Sequence, residues 1–252
     1  MATTRMRWVV SMGAVALLAA PAYCAEAHHA WDYGAAHGPG HWGKLKPEYA
    51  TCATGKTQSP IDIRGAVRSD LPAIQFDYHP VPLRIVDNGH TIQVNYAPGS
   101  GITVDDKRYE LVQFHFHKPS EEAIAGKHAA MVAHLVHKSA DGALAVVAVL
   151  LKPGAPNPTV KTLWAHLPRE KEQETTPENL TVDATGLLPQ HHRYYTFTGS
   201  LTTPPCSEGV TWFVLATPVE VSKAEVARFG SVYPSNARPV QPRNGRVVKV
   251  SR

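Results

Sequence analysis

Nowhere in its 252 residues does the chain carry the roughly 20 consecutive apolar residues that a membrane-spanning helix needs. Its one notable apolar run, WVVSMGAVALLAA (8–20), is short; it follows Arg5 and Arg7 and precedes the small residues AEA at 25–27. That pattern predicts a secretory signal peptide over residues 1–27, hence an exported chain, periplasmic or secreted, with no membrane attachment after cleavage. Cys24 would suit a lipid anchor, but Pro21 and Tyr23 before it do not. Charge is scarce too. The formal net charge is +4, and removing Arg5, Arg7 and Glu26 leaves +3, too mild a bias to suggest a nucleic-acid partner. The basic end RNGRVVKVSR (243–252) reads as a solvated tail. Cysteine is the rarest of the informative residues. Of three, cleavage removes Cys24 and leaves Cys52 and Cys206, an even count that reads as one disulfide in an exported chain. It would close a loop of about 150 residues, for which chain entropy gives at most ~5 kcal/mol. Two separate buried thiols are the alternative.

Internal repeats, low-complexity linkers and shifts of composition are absent, which leaves one domain over residues 28–252. Helical periodicity is confined to PTVKTLWAHL (158–167) and SKAEVARFG (222–230), the second with Ser222 as N-cap and Gly230 as C-cap. The 21 prolines and 18 glycines instead punctuate many short apolar runs, the mark of a sheet-dominated domain. Strands are expected in LRIVDN, HTIQVNY, YELVQFHFH, AAMVAHLVHK, ALAVVAVLLK, YYTFTGS and VTWFVLATP, with a tight turn at DNGH (87–90).

QFHFH (113–117) carries the first chemical signal. Side chains two apart on a strand share a face, so Gln113, His115 and His117 line one side while Phe114 and Phe116 enter a core. Two imidazoles alone fit equally well a hydrogen-bonded pair beside a pocket. MVAHLVHK adds His134 and His137, three apart and therefore on opposite faces. An antiparallel strand bearing His134 beside the first would gather three imidazoles. Three neutral nitrogens with an open fourth position make a catalytic zinc site, whereas structural sites are closed by four protein ligands.

The stretch GSLTTPPCSEGVTW (199–212) sharpens this reading. With WDYGAAHGPGHW (31–42), QSPIDI (58–63), NGH (88–90), QFHFH (113–117), SE (120–121), HLVHK (134–138) and NARPVQP (236–242), in that order, the chain resembles the α-class carbonic anhydrases over nearly all of residues 28–252. The resemblance implies a single, mainly β domain on a large, mostly antiparallel central sheet with a few short peripheral helices, active as a monomer or homodimer. It also implies a zinc lyase in which Zn2+ sits on His115, His117 and His134. Zinc lowers the pKa of a bound water to about 7, carbonic anhydrase being the standard example, and the resulting hydroxide attacks CO2 to give bicarbonate and a proton.

By the same resemblance, Thr202 orients the hydroxide while donating its own proton to Glu121, and Thr203 contacts the bound anion. Glu122, next along, is expected to be an ordinary solvated residue. Val136, Val146, Leu201 and Trp212 would form the apolar wall for CO2, with Tyr33, Asn88, His90 and Gln113 on the polar wall. His90 matches the proton shuttle, a task suited to an imidazole with an ordinary pKa near 6.5. The remaining histidines have no assigned role and are expected mostly at the surface. Cis bonds are implied before Pro60 and Pro205. One position departs: the family usually has glutamate two residues before the third ligand, bonded to that imidazole, and here it is Val132. Two other readings remain, a catalytically silent carbonic-anhydrase-like binding or adhesion module, and an esterase.

Overall fold

The computed structural model describes residues 1–2 and 31–252. Apart from Met1 and Ala2, the expected signal segment lies outside the described residues, as do Cys24, His28 and His29.

Apolar alternation over residues 83–117 and 129–152 produces the long strands of one twelve-stranded sheet. Its centre is four neighbouring strands: Lys107–His117, Met131–Ser139, Leu144–Pro153 and Glu208–Leu215. The first three pair antiparallel, and Leu144–Pro153 then runs parallel to Glu208–Leu215. Tyr194–Ser200 continues beyond Glu208–Leu215, and Ile92–Asn95 and Ile85–Asp87 flank the opposite side. Most pairings are antiparallel, as expected. All seven expected strands are present. The DNGH turn is held by Asn88, whose Oδ1 accepts from the backbone N–H groups of His90 (3.0 Å) and Thr91 (2.9 Å), with Gly89 at φ +82°.

One sheet face packs Phe114, Phe116, Leu135 and Val147 against the helices Pro158–Ala165 and Lys223–Gly230, which contribute Leu163, Trp164 and Phe229. The other face carries a second apolar cluster including Val132, Val146, Ala148, Trp212 and Val214 with Ile61 and Ile63. Ser222 caps its helix, with Glu225 completing a reciprocal capping box. Gly230 is the last helical residue rather than the cap, which is Ser231. Its smallness serves a close approach instead, since a Cβ there would lie 3.1 Å from Lys118 Cε.

Cys52 and Cys206 form a disulfide across 154 positions and pack beside Trp42. Ser59–Pro60 and Pro204–Pro205 are cis as expected, and Lys118–Pro119 is a third cis bond that sequence reasoning did not anticipate.

Candidate metal centre

Two adjacent strands build the centre. His134 lies directly opposite His115, and Val132 opposite His117. The alternation that aims these side chains depends on a bulge. Val136 pairs with Gln113 but His137 pairs with Leu111, so Val112 has no opposite residue on Met131–Ser139. The extra residue keeps Leu111, Phe114 and Phe116 in one core while turning Gln113, His115 and His117 to the other face. The three rings then sit with centroids 5.0 Å (115 to 117), 5.5 Å (115 to 134) and 4.8 Å (117 to 134) apart.

Each imidazole is tied by one nitrogen to an acceptor. His115 Nδ1 donates to Gln113 Oε1 (2.8 Å), His117 Nδ1 to the Asn236 carbonyl (2.7 Å), and His134 Nε2 to Glu122 (3.0 Å). A neutral imidazole has one N–H, so each ring keeps a lone pair on its other nitrogen. One ligating atom from each of the three lies within 4.8 Å of the other two. Burial, then the charge His134 would carry, pushes His115 down to about 3, and burial puts His117 well below its ordinary value. Both therefore stay unprotonated at neutral pH. Burial also opposes protonation of His134, but Glu122 and then Glu121 outweigh it and raise its pKa.

Glu121 is fully buried, with one oxygen bonded by the Arg238 backbone N–H at 2.7 Å. Its other oxygen, Oε2, has no hydrogen-bond partner and lies 3.5 Å from His117 Nε2, which has none either. Two buried acceptors facing each other call for a positive charge between or beside them. Burial lifts Glu121 to about 7, against the pull of His134 and hydrogen bonds from Thr202 and Arg238. A dication among the three nitrogens would favour its ionised form. The donor set fits zinc: three imidazole nitrogens, two unsatisfied buried atoms and a carboxylate behind them.

Glu122 corrects the sequence reading. It is fully buried, not solvated, and both its oxygens reach His134 Nε2, at 3.0 and 3.2 Å. Val132 is fully buried in the apolar cluster. The direction of the Glu122 side chain is set by the loop entering the short strand Ala123–Ile124, and no periodicity announces it.

The family model of the eukaryotic-type carbonic anhydrases matches residues 37–252. The chain belongs to this family. It is 46% identical over 244 residues to a carbonic anhydrase of Klebsiella pneumoniae, spanning 94% of this chain and 98% of that protein. It is 45% identical over 223 residues to one of Nostoc sp., covering 86% and 84% respectively. The α-carbonic anhydrase of Thermovibrio ammonificans, solved with the inhibitor sulfanilamide, superposes with a TM-score of 0.84 at 44% identity, covering 88% of this chain and 98% of that one.

Tyr33, Asn88, His90, Gln113 and Thr203 line one cavity of about 110 Å³ together with His115 and His117. Val136, Val146, Leu201 and Trp212 belong to the apolar cluster instead. Sheet register relates the two groups: Asn95, Gln113, Val136, Val146 and Trp212 form one transverse row across five strands. Its polar end lies at the sheet's Ile92–Asn95 side and its apolar end at Glu208–Leu215. The next row runs Gln93, His115, His134, Ala148, Val214, so these imidazoles occupy the boundary between the halves. Thr202 is buried beside Glu121.

Trp31 and Asn236 were missed as individual residues, although both fall inside matched motifs. The Trp31 ring stacks on His90 at 3.6 Å and 6°. Asn236 holds His117 through its carbonyl, and its amide donates to the carbonyls of His90 and Phe116, both at 3.0 Å. A larger hollow of about 520 Å³, lined by residues including Asp70, His191, His192 and Arg252, has no such convergence. The His115, His117 and His134 group is the only candidate metal cluster among the described residues.

Proposed function

We propose that the chain catalyses the reversible hydration of CO2 to bicarbonate and a proton, with zinc held by His115, His117 and His134. The observation that carries this is the set of three lone pairs converging within 4.8 Å, each fixed by an acceptor on the far side of its ring. Zinc bound there supplies Lewis-acid chemistry that makes water nucleophilic at neutral pH.

The residues around it do the rest. An ionised carboxylate can only accept, so Thr202 gives its hydroxyl proton to Glu121 and keeps its oxygen lone pairs for a donor in the cavity. That aims the nucleophile. CO2 carries no net charge and no dipole, and Val136, Val146, Leu201 and Trp212 offer it an apolar wall. Thr203 contacts the product anion. Tyr33, Asn88 and Gln113 order water along the polar side, and a ring nitrogen of His90 takes up the proton and passes it to solvent. The disulfide supports an oxidising compartment, periplasmic or secreted, for the mature chain.

Zinc analysis and stopped-flow CO2 hydration on the mature chain test this. One zinc per chain is expected, with nearly all activity lost in a folded His115→Ala variant. His90→Ala should lower maximal turnover, with partial recovery on adding imidazole. Full activity in His115→Ala would overturn the proposal, and loss in His90→Ala that imidazole cannot relieve would remove His90 from the relay.

A further inference from the structure

We infer that Glu122 is the residue that positions His134 for the metal, from a loop twelve residues away in the chain; this rests on the zinc reading above. Three observations carry it. Both Glu122 oxygens approach the same nitrogen, His134 Nε2, and His134 is the carboxylate's only hydrogen-bond partner among the described residues. That contact fixes the proton on Nε2 and leaves the Nδ1 lone pair on the side of His115 and His117. The acceptors behind the other two ligands, Gln113 Oε1 and the Asn236 carbonyl, are neutral. Glu122 is therefore the only formally charged acceptor behind a ligand, and it makes His134 the strongest donor of the three.

The backbone that bears the carboxylate is held from both sides. Ser120 Oγ donates to the Glu122 carbonyl at 2.8 Å and accepts from the Ala129 N–H at 2.8 Å. Immediately after Glu122, Ala123 pairs with Asp62 in the small three-stranded sheet. The side chain thus leaves a fixed backbone, as positioning a ligand requires.

Position 132 does not perform this task in the present chain. Val132 is fully buried among Ile61 and Ile63 and faces His117 across the strand pair. Apolar packing there and a carboxylate at 122 form a matched exchange. The site keeps two buried carboxylates, Glu121 and Glu122, whose charges balance a dication, and isolated buried charges of that kind are otherwise costly.

The test follows zinc transfer from the purified holoprotein to dipicolinate, together with melting of the zinc-free chains. Glu122→Gln keeps shape and an acceptor but removes the charge. It should release zinc about 10-fold faster or more, without lowering the melting temperature of the zinc-free chain. Glu122→Val should release it faster still, and adding Val132→Glu to that variant should slow release again, a rescue that a merely structural role would not give. Release from Glu122→Gln at the wild-type rate would overturn the inference while leaving the zinc site intact; that variant decides alone if the exchanged pair does not fold. A wild-type chain that takes up no zinc would overturn the zinc reading and this inference together.

Discussion

His137 lies three residues beyond His134 yet faces the opposite side of the sheet, where its Nε2 meets the Tyr78 hydroxyl at 2.9 Å. Burial pushes its pKa down to about 3, from an unfolded value near 6.5. Between those values the unfolded chain binds a proton that the folded chain does not, so stability present above pH ~6.5 is lost progressively as pH falls toward 3. The slope is about 1.4 kcal/mol per pH unit. His137→Gln should be less stable at pH 7 but lose less on acidification, as denaturant midpoints at pH 7 and pH 4.5 would report. Parallel losses in the two proteins would mean that His137 is not the titrating group. Strand alternation was enough to assign His134 and His137 to opposite faces. It could not reveal that His137 is fully buried while most other described histidines are exposed. Glu122 was illegible for a related reason. Its partner is set by the path of a loop, and a glutamate beside another glutamate reads as solvent-facing.

Among the elements, the ligand strands were legible because alternation and register fix which side chains share a face. The bulge at Val112 was not, since one extra residue in a strand leaves no mark in composition. Without it, His115 and His117 would share the face of Tyr109 and Leu111. The loop bearing Thr202 and Thr203 is held differently. Cys206 N–H donates to the Thr203 carbonyl at 2.8 Å, Gln58 Nε2 to the Cys206 carbonyl at 3.0 Å, and Arg238 Nη2 to the Cys52 carbonyl at 2.9 Å. Arg238 also gives its backbone N–H to Glu121. The disulfide, the buried arginine and the carboxylate are thus one assembly. Reducing Cys52–Cys206 should lower the denaturation midpoint, by up to ~5 kcal/mol in stability, and should slow CO2 hydration more than it depletes zinc. Zinc and turnover falling in proportion would separate the bond from the placement of Thr202.

At the scale of the whole molecule, one sheet separates two jobs. The face toward the two longer helices is a continuous core, and the other face carries the three imidazoles between a polar side and an apolar one. Seven strands, the two longer helices and the disulfide followed from punctuation, periodicity and cysteine count. The order of strands did not, because the parallel pairing of Leu144–Pro153 with Glu208–Leu215 joins segments far apart in sequence. The three imidazoles sit where the polar and apolar sides meet, so the central claim is that one metal ion at that boundary makes the sheet an enzyme. The direct measurement is CO2 hydration by chelator-stripped protein titrated with zinc. Activity should begin near zero, rise in proportion to added zinc and level off at one equivalent per chain. Full hydration by the zinc-free protein, or a rise that continues unbroken past one equivalent, would contradict it.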